Sequence, residues 1–182
     1  MSTLLEKERV QTLKRYEILD TPADGTFDRL AALASKIFNV PIAIISLVDH
    51  DRIWFKSHEG LDINEIDRTP GLCSSAILSD ELYIVEDARK DPRTLANPLV
   101  AGEFGLQFYA AAPLKTKNGF NLGTFCLIDK KKRYLNTQQQ QMLEDLAAIV
   151  MDEIELRLAA RMKFEQLSRK VNKLKEKQKD LQ

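Results

Sequence analysis

Neither glycine nor proline occurs between Thr137 and Gln182, so nothing halts a single helix once Thr137 has capped its start. Along its first half Met142, Leu143, Leu146, Ile149, Val150 and Ile154 form the broad apolar stripe of a helix laid on a sheet. Farther on, Ala160, Phe164, Leu167, Val171, Leu174, Gln178 and Leu181 alternate spacings of four and three, the seam of a coiled coil. The first half therefore needs a sheet to lie on and the second a partner helix. A charged, solvated helix that frays is the plainer alternative for the second half. The chain stops inside a heptad, which suggests that the natural protein continues.

The residues before this helix supply the sheet. Leu5, Val10, Leu13 and Ile18 amid charges predict an amphipathic helix ending before Asp20-Thr21-Pro22. A second follows, capped by Thr26 or Asp24, with Phe27, Leu30, Leu33, Ala34 and Ile37 at helical spacing, and Asn39 and Pro41 stop it. Pro41 to Val48 reads as a buried strand, turned by Asp49-His50-Asp51 into a second strand from Arg52 to Ser57. Gly60 to Pro70 is polar and irregular. Residues 73–78 suit a short helix of small side chains, and Leu82 to Val85 a third strand. Asp87 to Pro98 reads as a loop with one short helix, a covering segment. Phe108 to Lys115 and Gly123 to Asp129 form a hairpin through Lys117-Asn118-Gly119, whose Asn-Gly supplies positive φ.

Composition narrows the function. Lys plus Arg and Asp plus Glu each total 27, a zero net charge that gives no pull toward nucleic acid or an anionic membrane. The apolar run Val40 to Val48 is too short to span a bilayer, and the charged N-terminus has no secretory signal, so a cytoplasmic location is expected. In that compartment Cys73 and Cys126 are expected reduced and buried rather than bridged.

Catalytic motifs are scarce. His50 and His58 lack HExxH spacing, there is no CxxC pair, and no GxxxxGK[ST] or GxGxxG loop could cradle a phosphate. No metal is therefore expected. Cys73 between small residues is more often a buried hydrophobe than a nucleophile. Glu86, Asp87 and Asp28 are more simply strand-end and cap acids than acid–base catalysts.

The stretches ERVQTLKRYEILDTPADGTFDRLAALASKIFNVPIAIISLVD, RIWFKSHEGL, LCSSAILSDELYIVEDARKDPRTLANPLV, LQFYAAAPLKTKNGFNLGTFCLID and QQQQMLEDLA carry a resemblance over roughly residues 5–158. They resemble GAF domains placed before bacterial sensor kinases and diguanylate cyclases. The resemblance implies an α+β GAF fold, a central antiparallel β-sheet with helices on both faces and a long C-terminal coiled-coil helix. It also implies a sensor domain over residues 1–158, a signalling linker over 159–182, and an output module such as a diguanylate cyclase or histidine kinase. The segment itself is then regulatory and not an enzyme. Its partners would be a small-molecule ligand and a second copy joined through the C-terminal helix.

The implied ligand cavity lies between the sheet and the small helices. Cys73, Ser74, Ser75 and Ala76, with Ala110, Ala111 and Ala112, could leave volume unfilled, or could simply allow tight helix–sheet packing. Phe55, Phe108 and Tyr109 could stack on a planar ring; Ser74, Ser75, Thr124 or Asn97 could hydrogen-bond it. Ile77, Asp87, Leu95 and Arg93 complete the expected lining, with Arg93 for a phosphate. No cofactor is required, and a cyclic nucleotide, cAMP or cGMP, ranks first as ligand. Asn118, Phe125 and Asp129 echo the cyclic-nucleotide set of related phosphodiesterases, without its Lys and Glu. Bilin attachment is disfavoured because Ser74, not His, follows Cys73. The rival reading resembles free-methionine-sulfoxide reductases, but Arg93-Thr94-Leu95-Ala96-Asn97 lacks the cysteine their covering segment carries. A ligand-free dimerisation scaffold is the third possibility.

Overall fold

The computed structural model describes residues 2–180. Its centre is one six-stranded antiparallel sheet in the order β3-β2-β1-β6-β5-β4. The strands are β1 (Ile42–Val48), β2 (Arg52–Glu59), β3 (Glu65–Asp67), β4 (Tyr83–Val85), β5 (Phe108–Lys115) and β6 (Asn121–Asp129). The helices are α1 (Thr3–Arg15), α2 (Gly25–Phe38), α3 (Cys73–Ala76), α4 (Pro98–Ala101) and α5 (Thr137–Asp180). The short strand β3 lies inside the stretch expected to be irregular. It pairs with β2 through Ile53 and Ile66, an apolar pair in a polar segment.

Side chains alternate across the sheet, so each strand serves two cores. On one face Ala43, Ile45, Leu47, Phe108, Ala110, Ala112, Leu114, Phe125 and Leu127 meet Leu13 of α1, Phe27, Ala34 and Phe38 of α2, and Leu143, Leu146, Val150 and Ile154 of α5. On the other, Ile44, Phe55, Tyr109, Ala111, Cys126 and Ile128 meet Leu72, Cys73, Ala76 and Ile77 around α3, with Ala88, Val100 and Leu106. Both faces carry helices, as expected, but all the long ones lie on one side.

Local chemistry sets the boundaries. Asp24, not Thr26, caps α2, accepting from the Thr26 N–H at 3.0 Å, and Asn39 ends it in the left-handed region at φ 51°. Gly123 allows β1 and β6 to approach, since a Cβ there would stand 1.8 Å from the Ser46 carbonyl oxygen. In the β5–β6 turn the positive φ falls on Gly119 alone, and Thr116 Oγ1 accepts from the Phe120 N–H at 3.0 Å.

The helix α5 runs 44 residues without a break. Ile149 departs from the expected core stripe and is half exposed, because its position on the helix turns away from the sheet. Past Ile154 the sheet ends, and Leu156, Phe164, Leu167, Val171 and Leu174 are all exposed. The last expected seam residue, Leu181, lies outside the described residues. No helix among the described residues is long and apolar enough to cross a membrane.

Candidate functional site

The two faces differ in how they are closed. Three long helices cover one; the other is roofed by two four-residue helices and the loops between them. Such a roof cannot fill a pleated surface evenly, and a cavity of about 90 Å³ remains beneath it. Its floor is Ile44, Phe55, Tyr109 and Ile128 from four different strands. Its walls and roof are Leu61, Ile63, Ile66, Leu72, Cys73, Leu99, Phe104 and Leu106. Except for the Tyr109 hydroxyl and the Cys73 thiol, every side chain there is hydrocarbon. Such a hollow suits apolar matter and stays dry without it.

The expected site residues divide sharply. Phe55, Cys73 and Tyr109 line the cavity. Ile77 and Ala111 belong to the same apolar cluster but lie off its wall. Thr124 is fully buried on this face, its Oγ1 2.9 Å from Ser46 Oγ across the β1–β6 ladder. Phe108 is a correction: β5 alternation turns it to the opposite face, into the core under α2 and α5.

The remaining polar candidates hold the roof together instead of facing the cavity. Ser74 donates to the Arg68 carbonyl at 2.9 Å, and Ser75 is exposed. The Asp87 carboxylate accepts from the Arg89 backbone N–H and guanidinium, closing its own turn. Asn97 accepts from Leu99 N–H at 2.9 Å and donates to the Pro70 carbonyl at 2.7 Å, so it caps α4 and ties it to the segment before α3. Arg93 is spent on Asp91 at 2.6 Å and on the Ile84 carbonyl, and its guanidinium lies 4.7 Å from the Tyr83 ring centre. Leu95 is 50% exposed, pointing to solvent. Ser74, Asp87, Arg93 and Asn97 do not line the cavity because each is engaged by polar groups of its own or a neighbouring turn, while Ser75 and Leu95 face solvent.

Sequence reasoning missed most of the lining: Ile44, Leu61, Ile63, Ile66, Leu72, Leu99, Phe104, Leu106 and Ile128. Two signals were available. Ile44 and Ile128 follow from period-two alternation with Phe55 and Cys126, and Leu61, Ile63 and Ile66 are apolar residues in a stretch otherwise made of acids, Asn and Gly.

A further set of ionic contacts joins α5 to the α1–α2 connection. Arg157 of α5 pairs with Asp24 at 2.7 Å and lies over the Phe27 ring. That guanidinium, above all, holds the Asp24 carboxyl down to about 2; slight burial opposes it, and the Thr26 N–H adds to it. Arg161 donates to the Arg15 and Tyr16 carbonyls at the end of α1, and Tyr16 donates to Glu155 at 2.7 Å. Burial and that carboxylate raise the Tyr16 phenol. Lys56, buried, donates to Thr21 Oγ1 and the Pro22 carbonyl, both at 2.9 Å. Burial pulls its ammonium below the ordinary range. Helix α5 is thus fastened to the α1–α2 connection, which is itself fastened to β2. No cluster of three metal-ligating side chains occurs among the described residues.

Against known proteins, a family model described as the GAF domain matches residues 22–154. A cyclic di-GMP phosphodiesterase of Pseudomonas aeruginosa is 41% identical over 150 residues, covering 82% of this chain and 26% of the relative. The chain thus spans about a quarter of that relative's length. Among solved structures, the GAF domain of a phosphoenolpyruvate-protein phosphotransferase from Coxiella burnetii aligns with a TM-score of 0.63 at 14% identity, over 88% of this chain and 99% of that one. A free methionine-R-sulfoxide reductase from Neisseria meningitidis aligns at 0.62 and 18% identity, over 86% and 92%. At such identities these likenesses concern the fold.

Proposed function

The chain belongs to the GAF domain family, and from that premise we propose that it is a sensor module in which a small molecule, held under the α3–α4 roof, acts on a downstream output through α5. Domains of this family are regulatory and commonly bind small ligands and dimerise. The observation that carries the reading is the apolar cavity of about 90 Å³, floored by the sheet and roofed by two short helices and their loops, apart from the main core. Ligand cavities are usually about 300–1,000 Å³. In the closed arrangement this one fits a few apolar heavy atoms.

The favoured ligand is accordingly a compact, mostly apolar molecule. A cyclic nucleotide, cAMP or cGMP, needs the roof displaced and a new phosphate partner, since Arg93 is committed to Asp91. Occupancy biases α5 only as far as the ligand prefers one arrangement over another. The exposed seam of Phe164, Leu167, Val171 and Leu174 is read as the helix face through which two copies pair and pass that bias on. The likeness to a cyclic di-GMP phosphodiesterase supports an output that makes or breaks a cyclic dinucleotide, with a histidine kinase as the other option. Methionine sulfoxide reduction is disfavoured for this segment, because residues 93–97 carry no thiol.

Native mass spectrometry of the purified protein, followed by melting shifts with cAMP, cGMP and small apolar metabolites, tests the reading. A retained small molecule or a shift with an apolar compound supports it. A shift with cAMP or cGMP alone places the nucleotide first and requires the roof to open. No retained mass and no shift with any compound leave a dimerisation scaffold.

A further inference from the structure

The cavity offers a ligand almost no polar partner. Its lining is hydrocarbon apart from the Tyr109 hydroxyl and the Cys73 thiol, and that hydroxyl already donates to the sulfur at 3.2 Å. An ionised group drawn inside would lose its hydration with nothing to replace it. Any charge on the ligand must therefore stay at the mouth, and the side chains there decide which charge is accepted.

One cation stands at that mouth. Phe104 in the roof and Ile128 in the floor both line the cavity. Lys130 lies two residues beyond Ile128, just past the end of β6, and alternation returns it to the cavity face. Its ammonium sits over the Phe104 ring, 5.1 Å from the ring centre. A ring face attracts the charge but leaves the three N–H donors of an ammonium open to other partners. The adjacent carboxylate, Asp129, is opposite Phe108 in the sheet register, so it belongs to the scaffold face, where Arg133 binds it. The arginines of the roof are committed as well: Arg68 to Glu6, Arg89 to Asp87 and Arg93 to Asp91. Lys130 pairs with no carboxylate among the described residues, and its charge is left for the ligand.

We propose that the ligand of this cavity is a short-chain aliphatic carboxylate, its hydrocarbon tail under the α3–α4 roof and its head on the Lys130 ammonium. One ammonium balances one negative charge, whereas a phosphate monoester would bring a second with no cation beside it. Burial of the tail supplies most of the affinity, in proportion to the apolar area removed from water. The ion pair forms at an exposed residue and supplies mainly selectivity, since such pairs are individually weak. This inference deepens the sensor reading and rests on it, because the cavity must admit the tail.

The test titrates the protein calorimetrically with butanoate, hexanoate and octanoate, and with the primary amides of the same chains, so that only the charge of the head differs. At least one carboxylate should bind about three- to fivefold tighter than its amide at low salt. Added sodium chloride should shrink that advantage. Lys130 is exposed, so its replacement leaves the fold intact. Lys130→Gln should abolish the preference for the acid while leaving amide affinity unchanged, and Lys130→Glu should reverse it. A preference that survives in Lys130→Gln overturns the proposal, as do amides that bind as tightly as every acid. Either result leaves the sensor reading standing, because the tail still enters. Binding of neither series also overturns the proposal, and a melting shift with cAMP or cGMP would then preserve the sensor reading with its roof opened.

Discussion

The two faces of one sheet answer to different demands. Under α1, α2 and α5 the strands present Phe108, Leu114, Phe125 and Leu127, all fully buried, to helices long enough to bring a whole apolar stripe. Under α3 and α4 the same strands present Ile44, Phe55, Tyr109 and Ile128 to a roof held by turn hydrogen bonds from Ser74, Asp87 and Asn97. The first face is a scaffold closed by area, the second a site closed by caps and turns. A helix of 44 residues can cover a sheet evenly; helices of four cannot, and the shortfall is the cavity.

The contrast is sharpest for truncations. Phe27→Ala on the scaffold face should cost about 3–5 kcal/mol in denaturant unfolding, because α2, α5 and β2 converge on that ring. Leu99→Ala, on the cavity roof and already partly exposed, should cost about 1 kcal/mol, since it only enlarges existing space. Equal losses at the two sites would erase the distinction between the faces.

A smaller effect concerns the link from scaffold to signalling helix. Asp24→Ala removes both the α2 cap and the Arg157 partner, and should cost about 1 kcal/mol. Because the folded Asp24 carboxyl is held below its unfolded value of 3.8, its contribution is fully present above pH 4 or so and fades as pH falls toward 2. Wild type and variant should therefore differ in denaturation midpoint at pH 6 and converge in acid. A gap that persists at pH 2 would assign the loss to something other than the carboxylate.

The smallest effect on folding is expected on α5 beyond the sheet. Phe164→Ser, at a residue 72% exposed, should change unfolding of the sheet domain by no more than about 0.5 kcal/mol. Sedimentation should nonetheless show weaker self-association. Unaltered association would place the pairing surface elsewhere.

The scaffold face was legible in the sequence because its signals are long: the helical stripe of α2 and the uninterrupted α5 both extend over several turns. The cavity face was not. Its composition suggested small residues lining a polar-rimmed pocket, whereas Ser74, Asn97 and Asp87 are consumed by backbone groups of the turns they stabilise. Phe108 was assigned to the wrong side because adjacent aromatics, Phe108 and Tyr109, cannot share a face of a strand. The apolar roof residues Leu99, Phe104 and Leu106 are spaced by loops, and loops have no period to read. Ile63 and Ile66 were visible only as exceptions to a polar run.

The account depends on the space under the α3–α4 roof being hollow and enterable. Melting of the protein in saturating benzene, beside a variant filled by Leu106→Phe, probes that space with a molecule of matching size and chemistry. The wild type should melt several degrees higher with benzene than without, and the filled variant should not respond. A wild-type melting point that benzene leaves unmoved, or an equal rise in both proteins, would contradict the account.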